Sequence, residues 1–174
     1  LETVTEKDDK TLKYIIVTQA IEKDDIAEIE DTAGTTDDIA VTASTNTNTL
    51  KSTSSETSAT SPFLGNTKIQ RQNIEKVQFM SNASNANTTK WDVSATGDGS
   101  VLAWYTTRSN GAVTVYIGSK SNGVVYANTN SSYLFSYIGY ASICTNTEPI
   151  AGLYYFDTSN TVDMSYMFSN AGYR

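Results

Sequence analysis

The clearest alternation of apolar and polar positions lies in residues 101–127, VLAWYTTRSNGAVTVYIGSKSNGVVYA. Two Ser-Asn-Gly triplets, at 109–111 and 121–123, divide this segment into three runs that are rich in β-branched and aromatic residues. Asn-Gly is a strong hairpin signal because both residues tolerate a positive φ. The pattern therefore predicts a three-stranded antiparallel meander over 101–127, within a mainly β fold.

Alternation also assigns side chains to the two faces of the predicted sheet. On the second strand, Val113, Val115 and Ile117 share an entirely aliphatic face, which we expect to be buried. On the first strand, Trp104 lies on the face opposite to that of its neighbour Ala103. Upstream, the apolar run IEKVQF at 74–79 predicts a further strand.

The first 43 residues combine apolar clusters with acidic runs. The cluster YIIVT at 14–18 favours a strand, although apolar positions between 12 and 29 also fit one face of a helix. Strands are the preferred interpretation, with a helix as the alternative. Residues 44–61 are mostly Ser and Thr and predict a linker. The sequence thus divides into an acidic, β-prone segment (1–43), this linker, and a β-domain (62–174).

Charge is unevenly distributed along the 174 residues. Residues 1–60 contain 13 acidic and 5 basic side chains, whereas residues 61–174 contain 6 acidic and 7 basic ones. A nucleic-acid partner is not expected, because it would require a basic stripe that neutralises phosphates. A membrane span is not expected either, because no apolar run approaches the roughly 20 residues that a spanning helix needs.

The sequence lacks the residue type that most often acts as a general base. Histidine is absent, which excludes a Ser-His-Asp triad and removes the commonest general base and metal ligand. The single cysteine, Cys144, cannot form an internal disulfide and is expected to be a small buried residue. We therefore expect a protein that is not an enzyme and that uses no cofactor.

The segment 92–100, DVSATGDGS, places carboxylates and hydroxyls around a glycine turn. Asp92 and Asp98 are the candidate ligands for a calcium ion there. The segment lacks the regular spacing and the closing glutamate of an EF-hand loop. A plain turn before the next strand is the favoured interpretation, and no metal site is predicted.

Three aromatic residues, Trp91, Trp104 and Tyr116, are candidates for ligand binding. Tyr and Trp provide broad contact surfaces with a polar tip, which suits sugars and protein partners. The alternative is a role in the core, because alternating strands must also bury their large side chains. For Trp104 the core role is the favoured one.

The C-terminal part of the sequence contains a partial self-match. SSYLFS at 131–136 and MSYMFS at 164–169 are offset by 33 residues and share a Tyr-apolar-Phe-Ser pattern. A motif repeated at this distance indicates stacked units, each of which buries its apolar side against a neighbour. We expect short helical turns near 131–137 and 163–169, with Asp163 as the N-cap of the second and Met164, Met167 and Phe168 facing the core.

The stretch FDTSNTVDMSYMFSN at 156–170 closely resembles the repeat unit of the BspA-like leucine-rich-repeat surface proteins, F-D-T-S-N-V-T-x-M-x-x-M-F. The resemblance extends over about residues 61–174, because the upstream part is similar to the segment that precedes those repeats. The sequence departs from the pattern at 160–162, where Asn-Thr-Val replaces Asn-Val-Thr. One or two degenerate repeat-like units are therefore expected at the C-terminal end, with the last unit requiring a neighbour on its apolar side.

The resemblance implies an exported, non-catalytic bacterial protein at the cell surface, which acts in adhesion or surface assembly. Its partner would be a protein or glycan on a host or neighbouring cell. One alternative is a subunit of an extracellular filament, in which the N-terminal segment exchanges strands with copies of itself. A second alternative is a carbohydrate-binding module that uses Trp91, Trp104 or Tyr116.

Overall fold

The computed structural model describes residues 48–83, 88–121 and 123–172. By its internal contacts the chain divides into two units, Leu1–Val41 and Thr42–Arg174, and every described residue belongs to the second. The strands predicted within residues 1–43 lie outside the described residues. Residues 48–61, which were expected to be part of a linker, are instead packed on the domain, where Leu50 and Thr53 are fully buried.

The described part is mainly β, as the alternation predicts. Its strands are β1 (Pro62–Phe63), β2 (Asn66–Gln70), β3 (Ile74–Met80), β4 (Trp91–Asp92), β5 (Val101–Thr107), β6 (Val113–Ser119), β7 (Val125–Tyr126), β8 (Ile150–Ala151) and β9 (Phe156–Asp157). Two short 3-10 helices span Arg71–Asn73 and Leu153–Tyr155. The described ranges contain no α-helix.

Five strands form the main sheet, in the order β4-β5-β6-β3-β8. The pairs β4–β5 and β5–β6 are antiparallel, whereas β3 runs parallel to both β6 and β8. Strands β1 and β2 form a separate antiparallel pair, and β7 pairs in parallel with β9. The sheet is therefore mixed, with its antiparallel half at the β4 end.

The predicted meander is correct for two strands and wrong for the third. Strands β5 and β6 form the expected hairpin, and the turn places Gly111 at a φ of 88°. The third run, β7, lies outside this sheet because β3 occupies the other edge of β6. Ile74, Val77 and Phe79 of β3 are fully buried, and the N–H of Gly123 bonds to the carbonyl of Ser81. From Gly123 onward the chain thus leaves the edge of β6.

The aliphatic face of β6 is buried, as predicted. The core on this side of the sheet continues into the C-terminal segments through Phe79, whose ring stacks on Phe156 at 4.3 Å and meets Phe135 edge-on at 6.2 Å. Leu134, Phe135, Ile138 and Met167 belong to the same buried cluster. Cys144 is also buried, as expected. The sheet and the C-terminal segments therefore share one hydrophobic core.

Two C-terminal segments lie side by side in parallel, which we name the first coil (residues 125–139) and the second coil (residues 156–172). They are joined at β7 and β9 and by a bridge between Asn130 and Asp163. The N–H groups of Ser131, Tyr133, Phe135 and Tyr137 donate to the carbonyls of Asp163, Ser165, Met167 and Ser169, at N···O distances of 2.9, 3.1, 2.8 and 2.9 Å.

Each coil contains a ribbon of overlapping turns where short helical turns were predicted. Every second N–H, for example that of Ser136 or Ser169, bonds to the carbonyl three residues earlier. A continuous helix is prevented because Tyr133 and Tyr166 adopt left-handed φ values of 60° and 55°. The remaining N–H groups of the first coil are thereby free to point at the second.

The predicted core positions of the second coil are also corrected. Only Met167 is buried, whereas the side chains of Met164 and Phe168 are 44% and 58% exposed. The carboxylate of Asp163 accepts the N–H of Ser165, so it caps a turn rather than a helix. Phe168 stacks on the buried ring of Phe135, but more than half of its own surface stays exposed.

Candidate functional site

The two coils repeat the same backbone with an offset of 33 residues. Left-handed conformations occur at Tyr133 and Tyr137 in the first coil and at Tyr166 and Asn170 in the second. The rings of Tyr133 and Tyr166 stack at 5.0 Å with an interplanar angle of 11°. Those of Phe135 and Phe168 stack at 5.4 Å and 27°. Equivalent side chains therefore lie directly over one another.

Hydrogen bonding gives each ribbon two chemically different edges. Toward the second coil, the first coil presents N–H groups, at residues 131, 133, 135 and 137. Over this stretch the second coil accepts them with the carbonyls of residues 163, 165, 167 and 169. The direction is reversed at the two ends of the stretch, where Val162 and Asp163 donate to the Thr129 carbonyl and Gly172 donates to the Ile138 carbonyl. An ordinary strand edge alternates N–H and C=O groups, so the uniform direction within 131–137 and 163–169 is a property of the turn ribbon.

The carbonyl edge of the first coil is closed by buried side chains. Its carbonyls at Ser132, Leu134 and Ser136 are equivalent to those of residues 165, 167 and 169. The hydroxyl of Thr53 donates to the Ser132 carbonyl at 2.9 Å. Arg71 donates from Nη2 to the Leu134 carbonyl at 2.6 Å and from Nε to the Ser136 carbonyl at 3.0 Å. Side chains thus supply the donors that a preceding coil would supply.

The backbone next to Thr53 extends this closure. Thr49 bridges Tyr126 in parallel, the N–H of Leu50 donates to the Tyr126 carbonyl, and the N–H of Tyr126 donates to the Asn48 carbonyl. The side-chain amide of Asn128 donates to the Leu50 carbonyl at 2.8 Å. Residues 48–53 therefore occupy the place of a preceding coil, and we call them, together with Arg71, the cap.

Arg71 is fully buried, and its charge is balanced by Glu56. The guanidinium forms an ion pair with the Glu56 carboxylate, which also accepts the N–H groups of Leu64 and Gly65 at 3.1 Å. It also lies 5.3 Å from the ring centre of Phe63. Burial lowers the pKa of Arg71 and raises that of Glu56, and the attraction between the two groups opposes both shifts. The pair therefore fixes the cap electrostatically as well as by hydrogen bonds.

The donor edge of the second coil is open within the described ranges. Met164, Tyr166, Phe168 and Asn170 are equivalent to the four donors of the first coil. Their N–H groups make no hydrogen bond to any residue that the structure describes. The second coil therefore ends the described stack with four N–H donors at two-residue spacing. The first coil binds the second through the same arrangement of donors.

The large apolar side chains that are exposed in the described ranges all lie between residues 153 and 168. They are Leu153 (57%), Tyr154 (88%), Val162 (88%), Met164 (44%), Tyr166 (63%) and Phe168 (58%). Val162, Met164, Tyr166 and Phe168 belong to the second coil, and apolar side chains grouped on a protein surface are typical of an interaction site. We call these four side chains and the four open N–H groups the open face, and it is the candidate functional site.

The structure separates the three candidate aromatic residues. Trp104 and Tyr116 lie on the outer face of the sheet, where their rings stack at 5.6 Å and they line a cavity of about 370 Å³ together with Met80 and Thr106. Trp104 is only 8% exposed. Trp91 lies on the core side, where its indole N–H donates to the Leu64 carbonyl at 3.2 Å. The cavity therefore contains two of the three.

The loop that contains Asp92 and Asp98 is held by its own hydrogen bonds. The Asp92 carboxylate accepts the N–H and hydroxyl of Ser94 on Oδ1 and the N–H of Gly99 on Oδ2. Burial alone would raise the pKa of Asp92, but these bonds and the nearby Lys51 lower it. Hydrogen bonds from Ser100 and Thr96 lower the pKa of Asp98. The carboxylate of Asp92 therefore organises this turn.

Two further observations complete the site. The residues that the structure describes contain no group of three or more carboxylates or thiols placed to bind a metal. A helix with the length and apolar character of a membrane span is absent from the described ranges. The cap residues Thr53, Glu56 and Arg71 were not found by sequence reasoning, because the carbonyls that Thr53 and Arg71 bind lie more than 60 positions further along the chain.

Comparison with protein-family models, with curated proteins and with solved structures finds no match to this chain.

Proposed function

We propose that this chain is a non-catalytic bacterial surface protein that acts in adhesion or surface assembly through the open face. The observation that supports this proposal is the presence of four open backbone donors and four exposed apolar side chains, those of Val162, Met164, Tyr166 and Phe168, on the second coil. The resemblance of residues 156–170 to the BspA-like repeat unit supports the extracellular location and the repeat-like nature of the two coils.

A protein partner fits the open face better than a sugar does. Tyr, Phe and Met are enriched at the centres of protein interfaces, and Tyr166, Phe168 and Met164 occupy the middle of this face. Exposed backbone donors add affinity when a partner polypeptide aligns with them.

Retention of coated beads on cells tests this function. Beads that carry the purified chain are compared with beads that carry the double variant Tyr166→Ser, Phe168→Ser. Both side chains are more than half exposed, so the variant is expected to fold. We expect beads that carry the chain to be retained on target cells and beads that carry the variant to be washed off. Retention should also be lost after the cells are treated with protease, because the proposed partner is a protein. Equal retention of both kinds of bead would contradict the role of the open face.

Location is tested separately by brief proteolysis of intact producing cells. A surface protein is cleaved while a cytoplasmic control protein is not. Protection of the chain to the same degree as the control would contradict the extracellular proposal.

The cavity at Trp104 and Tyr116 supports carbohydrate binding as a second candidate function. Each ring already stacks on the other, and Trp104 has little exposed surface, so only Tyr116 offers a partly exposed aromatic ring to a ligand. A glycan array measures this directly. Sugar binding that is lost in Tyr116→Ala and retained in Thr114→Ala, which does not line the cavity, would favour a carbohydrate-binding module, and absence of binding to any sugar would contradict it.

The filament alternative depends on residues 1–43, which lie outside the described residues. Size-exclusion chromatography and electron microscopy of the full chain test it. Polymers that disappear when residues 1–43 are deleted would support strand exchange, whereas a monodisperse monomer at high concentration would contradict it.

A further inference from the structure

We infer that the open face binds the carbonyl edge of a further coil of the same turn-ribbon type, stacked head to tail on the second coil. The occupant is a polypeptide segment with the pattern of residues 156–170. In this pattern an Asp or Asn side chain caps a turn, as Asp163 does, and a ribbon with the sequence hydroxyl-Tyr-apolar-Phe-Ser follows. The inference rests on the proposed function in one respect, namely that the open face is a binding surface.

The hydrogen-bond polarity of the ribbon selects this occupant. The open face offers donors alone, at residues 164, 166, 168 and 170, so its partner must offer acceptors alone at the same spacing. The edge of an extended strand alternates C=O and N–H groups and would set some of its own donors against those of the open face. The carbonyl edge of a turn ribbon has acceptors at every second residue, as the second coil shows where it meets the first.

Side chains at the existing contact between the coils show the register. Tyr166 and Phe168 already use one ring face for Tyr133 and Phe135 of the first coil. These two side chains remain 63% and 58% exposed. A further coil at the same offset places its own Tyr and Phe over them, so one register satisfies the donors and the rings together.

The described part of a second copy cannot supply this edge. The carbonyls of its first coil are occupied by Thr53 and Arg71, and those of its second coil by its first coil. Two open faces placed against each other would oppose donors to donors. The stack therefore grows in one direction, from the cap toward the open face.

An in-register fusion tests the inference. A copy of residues 142–174, which is one 33-residue period, is appended directly after Arg174 of the full chain. Amide hydrogen exchange is then measured by NMR for Met164, Tyr166, Phe168 and Asn170. We expect exchange to slow by about tenfold or more at all four amides, because each gains an acceptor. Exchange at Tyr133, Phe135 and Tyr137, which already have acceptors, reports whether the parent fold is intact.

The matched control appends the same 33 residues in scrambled order. Protection at the four amides with the repeat copy, and none with the scrambled copy, supports the inference. Equal exchange in the two fusions overturns it, and so does a repeat copy that stays unfolded while the first-coil amides remain protected.

Two further outcomes are distinguishable. If the four amides of the unfused chain become protected as its concentration rises, the occupant is a second copy, and the inference is wrong. The fusion experiment involves no cell, so loss of bead retention or of surface location would refute the proposed function while leaving the fusion result unchanged.

Discussion

At the scale of single residues, Arg71 joins the cap to the first coil. Its buried guanidinium contacts three backbone carbonyls, at Tyr133, Leu134 and Ser136, as well as the Glu56 carboxylate. A planar guanidinium presents several donors in a fixed geometry, which a lysine cannot reproduce. The cap therefore depends on this residue type.

Arg71→Met is expected to lower the free energy of unfolding by about 3–5 kcal/mol, because it leaves the Glu56 charge and the coil carbonyls buried without partners. The double variant Arg71→Met, Glu56→Gln should recover part of this loss. Denaturant unfolding of the three proteins measures both effects. A loss below about 1 kcal/mol for Arg71→Met would mean that the carbonyl edge does not need these donors.

Thr53 permits a finer test at the same edge. Thr53→Val keeps the shape but removes the hydroxyl that donates to the Ser132 carbonyl, so we expect a loss of about 1–3 kcal/mol. Thr53→Ser retains the donor and serves as the control. Equal unfolding midpoints for the Val and Ser variants would show that the hydrogen bond contributes nothing.

The lowered pKa of Asp163 predicts that the stability of the fold depends on pH. Hydrogen bonds from Ser165 lower the pKa of Asp163 below its usual value of 3.8. The folded-state pKa is thus below the unfolded one, so the contribution of Asp163 is present above about pH 4 and is lost as the pH falls through the folded value. Asn130 occupies the equivalent position in the first coil, and its side chain likewise accepts the N–H of Ser132, so Asp163→Asn should retain the turn. Denaturation midpoints between pH 2 and 6 should show a smaller acid loss for this variant; an identical loss would contradict the assignment.

At the scale of elements, the two coils provide a matched pair of aromatic positions. Phe135 is 1% exposed, and its equivalent Phe168 is 58% exposed. Phe135→Ala is expected to cost about 3–5 kcal/mol, whereas Phe168→Ala should cost about 0.5–1.5 kcal/mol for the lost ring stack. Denaturant unfolding measures the difference, and equal costs would indicate that Phe168 is covered in solution.

The link between β8 and β9 depends on a close backbone contact. Gly152 has a φ of 73°, and a Cβ atom built there would collide with the carbonyl oxygen of Phe79. Gly97 has a similar φ of 70° but no atom within 4 Å of such a Cβ. Gly97→Ala should therefore cost about 1 kcal/mol, from backbone strain alone. Gly152→Ala should cost more than about 3 kcal/mol, because the collision adds to the strain. Similar melting temperatures for the two variants would contradict this packing.

The sequence predicted those elements whose signals are local. The hairpin of β5 and β6 follows from an Asn-Gly turn and two alternating strands, and the buried face of β6 follows from its aliphatic residues. The partner of β7 could not be predicted, because the choice between β6 and β9 depends on β3, which is distant in sequence. The ribbon was mistaken for helical turns because left-handed Tyr133 and Tyr166 carry no local signal, unlike a glycine.

The candidate site was predictable only in part. The self-match between 131–136 and 164–169 indicated two related units, and the equivalent residues do lie over one another. Which of their side chains are exposed could not be predicted, because the two units have almost the same pattern and differ only in what covers them. The cap could not be predicted because Thr53 lies in a stretch of low complexity, and because the carbonyls that Thr53 and Arg71 bind are more than 60 positions away in the sequence.

At the scale of the whole molecule, the excess of negative charge lies outside residues 48–172 of the sequence. Residues 48–172 contain seven acidic and seven basic side chains, so the net charge of −7 belongs to the rest of the chain. Binding at the open face should therefore change little between low and high salt, because apolar contacts and short hydrogen bonds are weakly screened. Bead retention measured from about 0.05 to 0.5 M NaCl checks this. A steep loss with salt would assign binding to the acidic segment instead.

The four hydrogen bonds that residues 131–137 donate to residues 163–169 point the same way and give this part of the stack an electric dipole along its axis. Peptide dipoles that point the same way add, as they do in a helix, with the positive pole at the unpaired N–H groups. Arg71 places its cationic group against the carbonyl end, which is the negative pole. The open face is the positive pole, and the Asp163 carboxylate lies beside it, where it accepts the N–H of Ser165. The open N–H groups favour carbonyls over N–H groups at short range, so an approaching segment binds with its carbonyls forward.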